Sequence, residues 1–174
     1  MINISKDILN MLGESVVKYW SSENKKDFKY IKIDEIKKGK YTTSNEKRDI
    51  NNALQYLKRR KYITIKKTEN SKLVILTAKG AEQYTKYCNL VGAKRKGHNL
   101  TLVVLEIPEK KRELRDFVRR RLQENGFLLS GRGVYLSTHK INNNFKFMIH
   151  LFGLEKNIMW GEYKPECTGK IKSN

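Results

Sequence analysis

Arg48, Asn51, Asn52, Gln55 and Arg59 recur at helical spacing. At 100° per residue they gather on one face of a helix. Arg, Asn and Gln are the side chains that make bidentate contacts to guanine and adenine edges in a major groove. A different chemistry is open to Glu106, which follows the apolar run Leu102-Val103-Val104-Leu105 and precedes Pro108. A carboxylate at a strand end can ligate a divalent metal, or it can pair with Lys110, Lys111 or Arg132, and the ion pair is the expectation here. Ser137, Thr138 and His139 adjoin in sequence but have no acid partner and no nucleophile elbow, so a hydrolase triad is not expected. His98 sits in a basic stretch without a second ligand at metal-site spacing. His150 lies in an apolar run and reads as a core or interface histidine. No glycine-rich phosphate loop of nucleotide-binding spacing occurs.

The elements that position these residues belong to a chain of 174 residues, enough for one large domain or two small ones. Lys and Arg number 37 against 18 Asp and Glu, a formal net charge of +19. Such an excess costs self-repulsion, and a polyanionic partner offsets it. Nucleic acid is the first candidate, since no long apolar run points to a membrane. Charge alone would equally suit a structural DNA-binding protein without sequence preference. Cys88 and Cys167 are single and distant, forming neither a zinc spacing nor a disulfide framework. The first residues lack the basic and apolar regions of a signal peptide, so a cytoplasmic protein is expected.

In the first half, Ser5 is placed to cap a helix whose apolar positions are Ile8, Leu9, Leu12, Val16 and Tyr19. A short element follows around Ile31, Ile33 and Ile36. Thr43-Ser44-Asn45-Glu46 matches a capping box, and Ile50, Ala53, Leu54 and Leu57 then form a buried stripe. The only acids of this helix, Glu46 and Asp49, stand in its first turn, where the helix dipole favours them. Two β-prone runs, 62–66 and 73–77, come next as a basic hairpin. Helix followed by basic hairpin is the plan of a winged helix-turn-helix domain, assigned here to residues 1–90. Arg48, Asn51, Asn52 and Gln55 are the expected base readers. Lys47, Lys58, Arg59, Lys66 and Lys67 are the expected phosphate contacts, with Lys72 beside them on the hairpin. Leu76-Thr77-Ala78-Lys79-Gly80 resembles the sequence that ends this hairpin in bacterial winged-helix regulators. Residues 91–99, with two glycines and four basic residues, read as a basic linker.

Residues 100–163 read as a ferredoxin-like βαββαβ domain, and residues 164–174 as a polar tail, so the whole chain is expected to be α+β. Leu100 to Ile107 is apolar enough for a strand buried on both faces. Pro108 suits a first helical position, and Gly126 a left-handed cap. The helix from Ile141 to Phe152 is apolar on more than one face, which predicts packing on a sheet and on a partner subunit.

Val103-Val104-Leu105-Glu106-Ile107-Pro108-Glu109-Lys110-Lys111-Arg112, then Leu114-Arg115, Arg119-Arg120-Arg121-Leu122, Gly126-Phe127 and Gly133-Val134-Tyr135-Leu136-Ser137, resemble one known pattern. It is the domain shared by PaaX-type repressors and the small CRISPR-associated adaptation nuclease (Cas two). PaaX-like proteins join this domain to a winged helix in the same order. The resemblance implies a homodimeric transcriptional repressor that binds double-stranded DNA, uses no cofactor and responds to an acyl-CoA. Arg119 and Arg120, on the arginine-rich helix, join the expected DNA contacts. The alternative it implies is a CRISPR adaptation subunit that works with an integrase, or a Mg²⁺-dependent endonuclease. In that nuclease family an Asp from each protomer holds the metal, and the matching residue here is Glu106. Its extra methylene displaces the oxygens, and octahedral Mg²⁺ tolerates misplacement poorly.

Overall fold

The computed structural model describes residues 4–21, 31–38 and 44–165, and it divides into two units, Met1–Cys88 and Asn89–Asn174. Each mixes helix with strand, so the chain is α+β.

The first unit contains helix α1 (Ile4–Trp20), strand β1 (Ile31–Lys32), helices α2 (Ile33–Lys38) and α3 (Ser44–Arg59), strands β2 (Ile63–Lys67) and β3 (Lys72–Leu76), and helix α4 (Ala78–Thr85). Its antiparallel sheet has the order β1-β3-β2. The apolar stripe of α3 is buried as its spacing requires: Ile50, Ala53, Leu54 and Leu57 all lie in the core with Ile8, Leu9 and Leu12 of α1. On α1 the buried position is Val17 rather than Val16, and Ser5 lies within the helix instead of capping it. The side chain of Tyr19, and the capping pair Thr43 and Glu46, lie outside the described residues.

Two close approaches set the helices of this unit. Gly13 of α1 lies under the Tyr84 ring of α4, where an added Cβ would come within 2.3 Å of ring carbons. Gly80 lies against the Tyr62 carbonyl, with 2.1 Å between that oxygen and an added Cβ. Thr77 caps α4, accepting from the Gly80 N–H at 3.1 Å while donating through Oγ1 to the Lys61 carbonyl at 2.6 Å. The resemblance seen at residues 76–80 therefore has a local cause: a capping threonine and a glycine three residues later.

The second unit contains β4 (Val91–Lys94), β5 (Leu100–Leu105), a 3₁₀ turn at Glu109–Lys111, α5 (Arg112–Glu124), β6 (Leu128–Gly131), β7 (Val134–Ser137), β8 (His139–Ile141), α6 (Asn143–Leu151) and β9 (Ile158–Tyr163). A four-stranded antiparallel sheet has the order β6-β7-β5-β9, and β4 pairs separately with β8. Strand β7 lies between β5 and β6, so the βαβ unit around α5 is split. Val103, Val118, Leu122, Phe127, Tyr135, Phe145 and Met148 fill the core. Gly126 ends α5 with φ 77°, as its place in the sequence predicts.

Several expectations are corrected here. Pro108 is extended, at φ −66° and ψ 156°, and α5 begins only after the 3₁₀ turn. Strand β5 is not buried on both faces: Thr101, Val103 and Leu105 are buried, while Leu100, Leu102 and Val104 are half-buried. Helix α6 buries Phe145, Phe147, Met148 and Ile149 within its own chain, so its apolar surplus does not call for a partner subunit. Residues 91–94, expected in a linker, are strand β4.

Side chains seat that strand where sequence periodicity gives no sign of it. The Asn125 Oδ1 accepts from the Leu90 N–H at 2.8 Å, and the Asn142 Nδ2 donates to the Asn89 and Val91 carbonyls at 2.9 and 3.1 Å. Asn142 also caps α6, accepting from the N–H groups of Asn144 and Phe145. Farther along, Arg95 donates from Nε to Thr101 and from its guanidinium to Glu162, while Asn99 donates to the other oxygen of Glu162. Replacing Asn142 by Ala removes a cap and two donors together, for an expected loss of about 2–3 kcal/mol. Urea denaturation checks this; an unchanged midpoint would show that water replaces the amide without cost.

Candidate nucleic-acid interface

Once Ile50, Ala53, Leu54 and Leu57 turn α3 toward the core, the opposite face follows from helix geometry. Arg48, Asn51, Asn52, Gln55, Lys58 and Arg59 are all exposed. None of their side chains makes a hydrogen bond or an ion pair to the described residues. The Lys47 side chain lies outside the described residues. The face thus presents amide and guanidinium groups whose hydrogen-bonding capacity is unspent.

The hairpin supplies a second set of cations. Lys67 stands directly opposite Lys72 in the β2–β3 register, and Lys66 opposite Leu73. Alternation along β2 sends Lys66 and Lys67 to opposite faces of the ribbon, so the two do not form one contact surface. Lys67 and Lys72 border a cleft of about 410 Å³ that also takes in Ile33 and Asp34 of α2, Asn51 of α3, and Thr68, Glu69 and Ser71 of the turn. The turn is closed by the Thr68 N–H donating to the Ser71 carbonyl at 2.8 Å and by contact of the two hydroxyls at 2.8 Å. Like charges directly across a ladder are unfavourable, and the carboxylates of Asp34 and Glu69 line the same cleft as the two lysines. Asp34, Thr68 and Ser71 were not legible as parts of this cleft. Counting the register back from the turn pairs Lys67 with Lys72, but nothing in the sequence brings α2 beside them.

On α5 most of the arginines are paired with acids of the same segment. Arg115 donates to Glu109 at 2.6 Å, which with the charge of Arg115 holds the Glu109 carboxyl below its ordinary range. Asp116 lies between Arg112, Arg115 and Arg119, at 3.8, 3.8 and 3.7 Å. Arg119, expected at the interface, therefore shares its charge with Asp116. Arg120 is exposed and has no ion pair among the described residues.

Glu106 is exposed just beyond β5, its backbone fixed by the N–H donating to the Asn157 carbonyl at 2.8 Å and by Asn157 Nδ2 donating back at 3.1 Å. The expected pairing with Lys110, Lys111 or Arg132 does not form. Among the described residues no group of three His, Cys, Asp or Glu side chains is placed to hold a metal ion. His150 is exposed rather than in the core, and its Nδ1 lies 2.8 Å from Glu155 Oε1. The Glu155 carboxyl is held low, first by a backbone hydrogen bond and then by His150. Ser137 is buried and accepts from the His139 N–H at 3.2 Å.

One face of the four-stranded sheet remains open. Register places Leu100, Leu102 and Val104 of β5 beside Tyr163, Gly161 and Met159 of β9, and Leu102 and Val104 beside Leu136 and Val134 of β7. Leu128 of β6 extends the same row through Leu136. Leu128, Met159 and Tyr163 are 50%, 58% and 43% exposed. The exposure lies on the edge strands β6 and β9, while Leu100, Leu102 and Val104 between them are half-buried and Leu136 is buried.

The class is thus an α+β protein with a basic helix-and-hairpin unit followed by a split βαβ sheet open on one side. Residues 96–169 match the family model described as the PaaX protein central Cas2-like domain. The match lies within the second unit and covers less than half of the chain, so it is a similarity of that unit to the PaaX-type domain. No curated protein matches the chain. Among the described residues no helix is long and apolar enough to cross a membrane.

Proposed function

We propose that the chain is a PaaX-like transcriptional repressor, a cytoplasmic homodimer that binds double-stranded DNA with sequence preference. The element order α1-β1-α2-α3-β2-β3 supports a winged helix-turn-helix, with α3 in the major groove and the hairpin on the backbone. The order β5-α5-β6-β7-α6-β9 supports a ferredoxin-like domain, whose open apolar face is the surface two protomers would share. The observation that carries the reading is the unspent polar face of α3 beside the Lys67–Lys72 cleft. Arg48, Asn51, Asn52 and Gln55 read base edges. Lys47, Lys58, Arg59, Lys67 and Lys72 neutralise phosphates, and Lys66 meets the backbone from the other side of the ribbon. Arg120, with Arg119 as a weaker contributor, adds positive potential on the second unit.

Asn51→Ala separates these roles from simple charge. It should reduce discrimination between preferred and random duplexes by about 1–2 kcal/mol. Lys67→Ala should weaken every duplex alike and flatten the dependence of log K on log salt by about one. Titrations at several salt concentrations decide the matter; equal losses on both kinds of DNA from both variants would remove the base-reading role.

A second reading, a CRISPR adaptation subunit partnered by an integrase or a Mg²⁺-dependent endonuclease, rests on Glu106 being exposed and unpaired in a Cas2-like domain. The donor set fits the metal poorly: Glu106 from each of two protomers would replace the family's Asp pair, and the longer side chain displaces the oxygens that octahedral Mg²⁺ needs closely placed. Cleavage of duplex DNA by the wild type that Glu106→Gln abolishes would favour this reading over the repressor.

A further inference from the structure

Tyr56 is 41% exposed on α3, and the Arg60 guanidinium carbon lies 5.6 Å from the centroid of its ring. Its hydroxyl makes no hydrogen bond to the described residues, and Arg60, also exposed, has no carboxylate partner among them. An exposed tyrosine does nothing for the core of the unit. Helix geometry puts it about 140° around α3 from Asn51, at the opposite edge of the polar face. Asn51 borders the cleft with the hairpin, so Tyr56 and Arg60 face the side of α3 turned away from the hairpin. Their neighbours on that side are Asn52 and Arg59, with Lys61 just past the helix end and the exposed Asp49 two turns back, so Arg59, Arg60 and Lys61 outnumber one carboxylate. An anionic partner is what this surface fits. A helix lying in a major groove roughly 12 Å wide meets both of its walls, and the hairpin accounts for contact with only one strand.

We propose that Tyr56 and Arg60 grip the DNA strand on the far side of α3 from the hairpin, with Arg60 donating to a backbone phosphate and the Tyr56 ring lying against the adjoining deoxyribose. The cation–π contact holds the guanidinium beside the ring before DNA arrives, which lowers the ordering cost of binding. This inference rests on the DNA-binding reading of α3 and names two residues that lie outside the set already assigned.

The test uses the full chain and a duplex with single methylphosphonates, which remove one backbone charge at a time. Wild type should lose affinity at one phosphate on each strand. Arg60→Ala should become indifferent to the substitution on one strand only, stay sensitive to that on the other, and flatten the salt slope by about one. Tyr56→Ala should bind every duplex about tenfold more weakly with the salt slope unchanged, a loss typical of a contact tyrosine. Tyr56→Phe should bind as wild type does, because the ring makes the contact. Both residues are exposed, and unchanged thermal melting confirms intact folding. If Tyr56→Ala and Arg60→Ala bind like wild type while Asn51→Ala and Lys67→Ala are weakened, the grip is wrong, the reading of α3 stands, and this edge faces an acidic protein or solvent. If all of these variants bind as wild type does, or the wild type binds no duplex, the DNA-binding reading falls and the grip with it.

Discussion

Gly80→Ala should lower the stability of the first unit by about 3 kcal/mol, despite the gain of roughly 1 kcal/mol that alanine brings to a helix. An added Cβ would lie 2.1 Å from the Tyr62 carbonyl oxygen, 2.7 Å from Leu76 Cδ1 and 3.0 Å from the Tyr62 carbonyl carbon. A leucine methyl can rotate away, but the carbonyl cannot. It already accepts the Thr77 N–H at 3.0 Å and the Thr77 hydroxyl at 3.1 Å, and Thr77 is the cap of α4. Moving Tyr62 therefore disturbs the start of β2 and the cap of α4 together. Gly92→Ala is the control, since its Cβ would meet nothing closer than 3.7 Å. Chemical denaturation of the two variants separates them; a Gly80→Ala midpoint equal to wild type would mean that α4 does not dock on Tyr62 as described.

Met159→Asp combined with Tyr163→Asp should abolish dimerisation, weakening self-association at least a hundredfold. Both residues are largely exposed on the open face of the sheet, so the isolated protomer loses little by the change. In a twofold interface each substitution counts twice, and burying unpaired carboxylates costs several kcal/mol. Sedimentation velocity at micromolar concentration reads the result directly. A wild type that sediments as a monomer, or a variant that remains a dimer, would assign this face to another purpose. The same variant should still bind a single half-site, because α3 and the hairpin are untouched.

How far the sequence reaches depends on whether a signal is local. The stripe Ile50, Ala53, Leu54, Leu57 determines both the core side and the polar side of α3, because one helical period governs both. The glycine at 126 needed only its own backbone preference. Both hairpin strands lie within one residue of the limits expected from their apolar runs, and the register is the same for either set of limits, with Lys66 opposite Leu73 and Lys67 opposite Lys72.

What was not legible comes from pairing between distant residues. Val91-Gly92-Ala93-Lys94 has the composition of a linker, yet Asn125 and Asn142 satisfy the chain around it and β8 pairs with it. Leu100 to Leu105 looks buried throughout, because leucine and valine do not show that one face of their sheet is left open. His150 sits among apolar residues in sequence but points outward to Glu155. Tyr56 reads from sequence as one more surface residue; only its distance from the cleft and its contact with Arg60 set it apart.

Selection of bound fragments from random duplex DNA tests the central claim most directly. The account predicts enrichment of an inverted pair of half-sites with centres about 10 base pairs apart or a multiple of that, and loss of the enrichment in Asn51→Ala. Retention of fragments without any enriched sequence, at a level set by salt alone, would contradict it.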